Sequence, residues 1–270
     1  MNQFERSPAK LLIMNSHKIV DTHSHLCDPI FDSDRTEVIE RARNAGVSAI
    51  FAVGENLSDA KLNIELAEKY PELMPGAGLY PSYLDINQAE ALASFIRREK
   101  NNLIAIGEVG LDFWVVKEEP ERAIQRKIFS DFIELSIELG LPLNVHSRSA
   151  GRHAVAMLLE RNACKVQLHA FDGKASAAGP AVEAGYFFSI PPSIVRSRQK
   201  QKLVKHLPIS CLLIETDSPV LGPFPKKRNE PSNAVISVDV IAEIKNIRRE
   251  EVIETVYENT CRLYGKLPLS

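Results

Sequence analysis

An apolar run, Ile19-Val20-Asp21-Thr22, leads into His23-Ser24-His25. Alternate residues of a strand point to one side. His23 and His25 therefore project together, and Ser24 faces away. Two imidazoles side by side suit a divalent transition metal. Two satisfied histidines on one strand face would leave the same trace, so the tripeptide alone weighs both readings evenly. Four further apolar runs end in potential ligands: Glu108, His146, His169 and Asp217. A carboxylate at the end of a buried strand is costly unless paired or metal-bound. Gly107 and Gly110, beside Glu108, leave room for backbone or ligand to come close.

These six residues divide into two sets that share a carboxylate. His23, His25, Glu108 and Asp217 are expected to hold one ion, and Glu108, His146 and His169 a second. Two ions ~3.5–4 Å apart can share a hydroxide and clamp substrate oxygens during hydrolysis. Water bound to zinc has a pKa of roughly 7, so the nucleophile exists at neutral pH. Asp217 could take its proton. Each residue alone could be a satisfied core group, but chance does not put all six at strand ends.

The elements that must position them alternate from end to end. Strand-like runs fall at 19–25, 48–53, 74–79, 103–108, 143–146, 166–169, 186–190 and 212–217. Helical spacing of apolar residues falls at 35–44, 58–70, 88–99, 120–139, 153–161, 176–184, 199–206, 235–247 and 250–257. Strict alternation predicts a parallel sheet with right-handed crossovers. Eight units predict an α/β fold of the TIM (β/α)8 barrel type, in which the C-terminal strand ends converge on one face. Stretches 117–122 and 219–231 read as long loops on that face.

The length of 270 residues fits one such barrel, and 44% hydrophobic residues suffice for its core. Residues 1–17 read as an N-terminal extension and 18–270 as a single domain. A net charge of −2 argues against coating nucleic acid through a global positive field, but not against gripping a few phosphates locally. Cys27, Cys164, Cys211 and Cys261 form no CxxC pair, which excludes a zinc knuckle or thioredoxin-like motif. Scattered thiols suit a reducing cytosol, and no apolar run is long enough for a membrane span. The expectation is a cytoplasmic monomer with no membrane partner.

Arg148 follows His146 by two residues and could hold a phosphate bidentately or serve a structural ion pair. Asp112 could orient a ligand. Tyr80, Phe113, Trp114 and Phe171 lie just past strand ends and could stack on bases. Loop packing is the preferred reading for Phe113 and Phe171, and Trp114 is the best stacking candidate. Arg196, Arg198, Lys200, Lys202 and Lys205 mostly share one helix, where a solvated outer face is the usual explanation. Lys226-Lys227-Arg228 sits on the catalytic side and could meet a nucleic-acid backbone. Cys27 reads as a small loop filler.

Several segments together carry a family resemblance. They are Asp21-Thr22-His23-Ser24-His25-Leu26, Gly107-Glu108-Val109-Gly110-Leu111-Asp112, Asn144-Val145-His146-Ser147-Arg148 and Leu168-His169-Ala170-Phe171, followed by Glu215-Thr216-Asp217-Ser218-Pro219 and Arg228-Asn229-Glu230-Pro231. From about 19 to 264 the chain resembles the TatD family of metal-dependent deoxyribonucleases. Residues 147–152 and 187–194 look most like the branch called TatD domain-containing protein 3 in animals. The resemblance implies a barrel of the amidohydrolase superfamily and metal-dependent phosphodiester hydrolysis, often as magnesium-supported exonuclease activity. It carries metal roles onto His23, His25, Glu108, His146, His169 and Asp217, and a functional role onto Glu215. The chain departs from the family at Gly78-Leu79-Tyr80-Pro81, where a Gly-x-His-Pro motif is common. The Tyr80 phenol can donate a hydrogen bond but is not cationic near neutral pH.

The leading expectation is a 3′–5′ exodeoxyribonuclease using two divalent ions (Mg²⁺, Mn²⁺ or Zn²⁺), with DNA ends or single strands as substrate. Asp217, Glu108 and Glu215 would be catalytic, and Arg148 and Tyr80 would position phosphate. A small-molecule ester or amide hydrolase on the same barrel is the alternative. Many barrels of the superfamily bridge their metals with a modified lysine, so Glu108 favours the TatD-like group. A non-catalytic binding module is a third reading, against which six intact ligands argue.

Overall fold

The computed structural model describes residues 19–267. The expected N-terminal extension, 1–17, lies outside the described residues. Eight strands pair in parallel in chain order: β1 (Ile19–Ser24), β2 (Val47–Ala52), β3 (Leu73–Ala77), β4 (Ala105–Gly110), β5 (Leu143–His146), β6 (Val166–Leu168), β7 (Phe187–Ile190) and β8 (Leu212–Ile214). Every residue of β1, β4 and β5 is buried. Burial on both faces is the mark of a parallel sheet covered by helices.

The helices are α1 (Arg35–Asn44), α2 (Leu57–Lys69), α3 (Ile86–Glu99), α4 (Glu119–Leu139), α5 (Gly151–Glu160), α6 (Gly179–Glu183), α7 (Arg198–His206), α8 (Ala234–Lys245) and α9 (Arg249–Tyr264). Their ends are set locally. Asn56 Oδ1 accepts from the Ser58 and Asp59 amides at the start of α2, and Asp85 does the same for Asn87 and Gln88 at α3. Pro120 sits in the first turn of α4, and Gly140, at φ 67°, ends it. The charged stretch 117–122 is thus partly helix rather than all loop.

The apolar stripes, such as Leu92, Phe95 and Ile96 of α3 and Phe129, Phe132 and Ile133 of α4, form the main core with alternate strand residues. Ile19 joins that core, whereas its neighbour Val20 packs with Ala49, Phe51 and Met74 in a separate cluster. The alternation puts the second cluster on the other face of the strands. α9 runs to Tyr264, beyond the expected 257, because its polar residues find partners: Asn259 donates to the Ile209 and Leu212 carbonyls, and Thr260 to Val256.

The seam between β1 and β8 brings together residues far apart in sequence. The Thr22 hydroxyl donates to the Ile214 carbonyl (2.9 Å), and the amides of Asp217 and His25 donate to the carbonyls of His23 and Ser218 (both 2.8 Å). Asp21, fully buried, accepts the Thr216 amide at 2.7 Å and its hydroxyl at 2.5 Å. Among the described residues no helix is long and apolar enough to cross a membrane.

Candidate metal centre

His23 lies in β1 and His25 one residue past it, and their Nε2 atoms approach to 3.2 Å. The strand alternation thus directs both rings to one place. Asn144, on β5, fixes the first ring. Its Nδ2 donates to the Thr22 carbonyl, so its Oδ1 is left to accept from His23 Nδ1 at 2.8 Å. His23 Nε2 then offers a lone pair toward the centre. His169 is set in the same way. Its Nδ1 donates to Glu215 Oε2 at 2.8 Å, and its ring stacks on His23 with centroids 3.6 Å apart.

Glu108, buried within β4, stands in the middle. Its Oε2 lies 3.4 Å from His25 Nε2 and 3.8 Å from His23 Nε2, and its Oε1 lies 3.7 Å from His169 Nε2 and 2.5 Å from His146 Nδ1. Asp217, three residues past β8, reaches in from the seam. Its Oδ1 is 3.5 Å from the Nε2 of both His23 and His25, and its Oδ2 is 3.8 Å from His169. Asp217 has φ 56° and Ala170, beside His169, has φ 38°. Such strained non-glycine conformations cluster at functional sites.

Two triads have ligand atoms close enough to hold one ion each: His23, His25 and Asp217, and His23, Glu108 and His169. The sets expected from sequence grouped these residues differently, with His146 beside Glu108 and His169. Here both nitrogens of His146 face carboxylates, Nδ1 that of Glu108 and Nε2 that of Asp112 (3.1 Å). Five of the six predicted ligands therefore converge on two overlapping triads, and His146 flanks them.

The charge balance is internally matched. Burial opposes ionisation of Glu108, yet His146, His25 and His23 hold its carboxyl well below the usual range. Asp217 is likewise lowered, by His169, His25 and His23 against its burial. Burial disfavours a charged His146, but Glu108 and Asp112 lift it to about 9. His23 goes the other way, down to about 4, through burial and the adjacent His169. A cluster of buried imidazoles with ionised carboxylates between them is a donor set that fits divalent ions.

A pocket of about 520 Å³ opens over the cluster. It is lined by His25, Glu108, His146, His169 and Asp217, and by the predicted phosphate binders Tyr80 and Arg148. The Tyr80 phenol donates to Asp112 Oδ2 at 3.2 Å, and burial with the carboxylates of Glu108 and Asp112 pushes its pKa upward. Arg148 is exposed, and its guanidinium stands 5.1 Å from the Trp114 ring centroid. Glu215 does not line the pocket. It is fully buried, and besides His169 it accepts the Ala170 amide (2.9 Å) and the Ser189 hydroxyl (2.5 Å).

Trp114 is 58% exposed, while Phe171 is buried against Phe188 and Phe113 lies under Arg122. Cys27 is buried, as a loop filler should be. Two basic residues depart from expectation. Arg228 is not free to meet a backbone: it pairs with Asp34, donates to the Ile30 carbonyl and lies over Phe31. Lys200 is not on a solvated face: it lines the pocket. Asn144 and Asp21 were missed by the sequence reading as supports of the site. Asn144 had a signal, since it lies two residues before a predicted ligand and so on the same strand face, whereas the register shift between Asp21 and Ser24 takes Asp21 off the face of His23.

Residues 20–265 match the family model described as TatD related DNase. The chain is 44% identical over 261 residues to the deoxyribonuclease TATDN3 of Homo sapiens, covering 92% of this chain and 95% of that protein. It is 33% identical to an uncharacterised metal-dependent hydrolase of Methanocaldococcus jannaschii, covering 94% and 99%. The crystal structure of YjjV, a TatD homologue from Escherichia coli, superposes with a TM-score of 0.87 at 26% identity, covering 94% of this chain and all (100%) of the other.

Proposed function

The chain belongs to the TatD-related DNase family, and from that premise we propose that it is a metal-dependent exodeoxyribonuclease acting on 3′ ends or single strands of DNA. The observation that carries this reading is the convergence of His23, His25, Glu108, His169 and Asp217 on two overlapping triads beneath an open pocket. In our reading His146 completes the set, and the ions are two, drawn from Mg²⁺, Mn²⁺ and Zn²⁺. When bound there, such ions supply an activated water and offset charge that develops on the phosphoryl group.

The chain's own groups have distinct parts. Asn144 and Glu215 fix the rings of His23 and His169 so that each turns Nε2 to the centre. Asp217 borders the pocket and is held in its ionised form by neighbouring histidines, so it can take up a proton at a carboxylate oxygen. Glu108 belongs to one triad and, with Oε2 3.4 Å from His25 Nε2, reaches the other as well. Arg148 and the Tyr80 hydroxyl hold the phosphate, the phenol turning its one proton from Asp112 to a phosphate oxygen. Glu215 acts through His169 as a positioning residue.

We read residues 18–270 as one catalytic unit, working as a monomer in the cytoplasm. Four free cysteines, two of them buried, and the scatter of exposed large apolar residues over several elements support this. The test is digestion of end-labelled single- and double-stranded DNA with each metal, with Asp217→Ala as control. A ladder shortened from the 3′ end, absent in the variant, is expected. Turnover of esters or amides without DNA cleavage would overturn the reading.

A further inference from the structure

Lys200 is the third residue of α7, and its side chain parts from the helix's other basic residues. Arg198, Lys202 and Lys205 border a separate shallow surface with Gln201 and Ile244, whereas Lys200 turns into the pocket above the metal centre. There it is partly buried. Its ammonium donates one hydrogen bond, to the Ala170 carbonyl at 3.0 Å. Among the described residues no carboxylate oxygen lies within 4.0 Å of it. An ammonium has three donors, so its hydrogen-bonding capacity is not used up among the described residues. Burial disfavours its charged form, although the more distant Glu215, Asp172 and Asp217 pull the other way. A charge taken from water without a close counter-charge is costly unless a ligand brings one.

We propose that Lys200 is a phosphate-binding residue of this pocket, its ammonium contacting a non-bridging phosphate oxygen of the nucleic-acid substrate. The inference rests on the nuclease reading and names a recognition element within it. Its neighbours suit the role. Ala170 directly follows His169, and its amide is tied to Glu215, so Lys200 stands beside the edge of the metal centre. Arg148, whose guanidinium also lines the pocket, arrives from the loop after β5. Two cations from different elements can flank one anion.

The experiment compares the full chain with Lys200→Met and Lys200→Arg in the presence of Mg²⁺. For single-stranded DNA, Lys200→Met is expected to raise KM roughly tenfold or more, with kcat changed far less. The slope of log KM against log salt should fall by about 0.7, the share of one phosphate contact on a single strand. The arginine variant should recover part of the KM. The thermal midpoint of Lys200→Met should stay level or rise, because an unpaired charge has been removed. An unchanged KM and salt slope, with a midpoint lowered by the lost clip on Ala170, would overturn the proposal. A second arm uses inorganic phosphate as a stabilising ligand. Lys200→Met should need roughly tenfold more phosphate than the parent for equal protection, and equal protection would overturn the proposal. If the parent chain cleaves no DNA, the nuclease reading falls, and the phosphate arm still decides Lys200.

Discussion

The backbone amide of Asp217 donates to the carbonyl of His23 across the β1–β8 seam, at 2.8 Å. One hydrogen bond therefore sets the spacing between a carboxylate and an imidazole 194 residues apart in the chain. Asp21 anchors the same seam from below by accepting both donors of Thr216.

Replacing Asp21 with Ala should leave those two buried donors unpaired. The expected cost is roughly 2–4 kcal/mol of stability. Because the seam also places Asp217, metal affinity should fall as well. Thermal denaturation and metal titration of Asp21→Ala check the two effects separately.

Glu215→Gln keeps an acceptor for the Ala170 amide but removes the charge that orients His169. The fold should survive, with a midpoint close to that of the parent. Metal affinity should drop about 10–100-fold, as for other outer partners of metal-ligating histidines. Calorimetric titration would show it, and undiminished affinity would remove Glu215 from its positioning role.

Gly110 has φ 147°, and a Cβ built there would meet the His146 carbonyl oxygen at 2.1 Å. Gly110→Ala must displace β5 just where it carries His146, and should cost at least ~3 kcal/mol or prevent folding. Gly140 also has positive φ, 67°, but nothing lies within 4 Å of its Cβ position. Gly140→Ala should cost only about 1 kcal/mol, which makes it the matched control in a soluble-yield and thermal-shift comparison.

Acid–base behaviour should differ between ion-free and ion-loaded protein. His146 in the folded chain is raised from the ordinary 6.5 to about 9. Its contribution to stability is complete below about pH 6.5 and is lost as pH climbs through 9. His23, lowered to about 4, contributes above 6.5 and loses that contribution as pH falls toward 4. Chelator-treated protein should therefore be most stable near pH 6.5. Protons compete with ions for imidazole, so metal loading should tighten over the interval from 6.5 to 9. Thermal midpoints and metal titrations across that range test both slopes.

Trp114 is the chain's one tryptophan, 58% exposed, with the Lys117 ammonium and the Arg148 guanidinium about its ring. Stacking on a base should quench its fluorescence when single-stranded DNA is added to chelator-treated protein. Trp114→Ala should weaken binding by about 1–3 kcal/mol. Unchanged fluorescence at saturating DNA would show the ring to be a bystander.

The sequence by itself determined the barrel and named the side chains that meet at the candidate metal centre. Eight apolar runs alternating with amphipathic stretches admit few topologies, and the period of two along a strand already put His23 and His25 on one side. Those are local properties, set by side-chain direction and burial. Only the tertiary structure decided which of these side chains stand together. Whether Glu108 sits nearer His146 or His25, and that His23 belongs to both triads, depends on how strands staggered around a closed sheet meet at their ends. The fates of the basic residues were also non-local. Lys200 and Lys202 are alike in the chain, and Arg228 looks as free as Lys227. What separates them is the pocket wall beside α7 and the Asp34 carboxylate on the far side of the seam. Long flexible side chains take their direction from whatever packs against them, and no spacing rule along the chain contains that information.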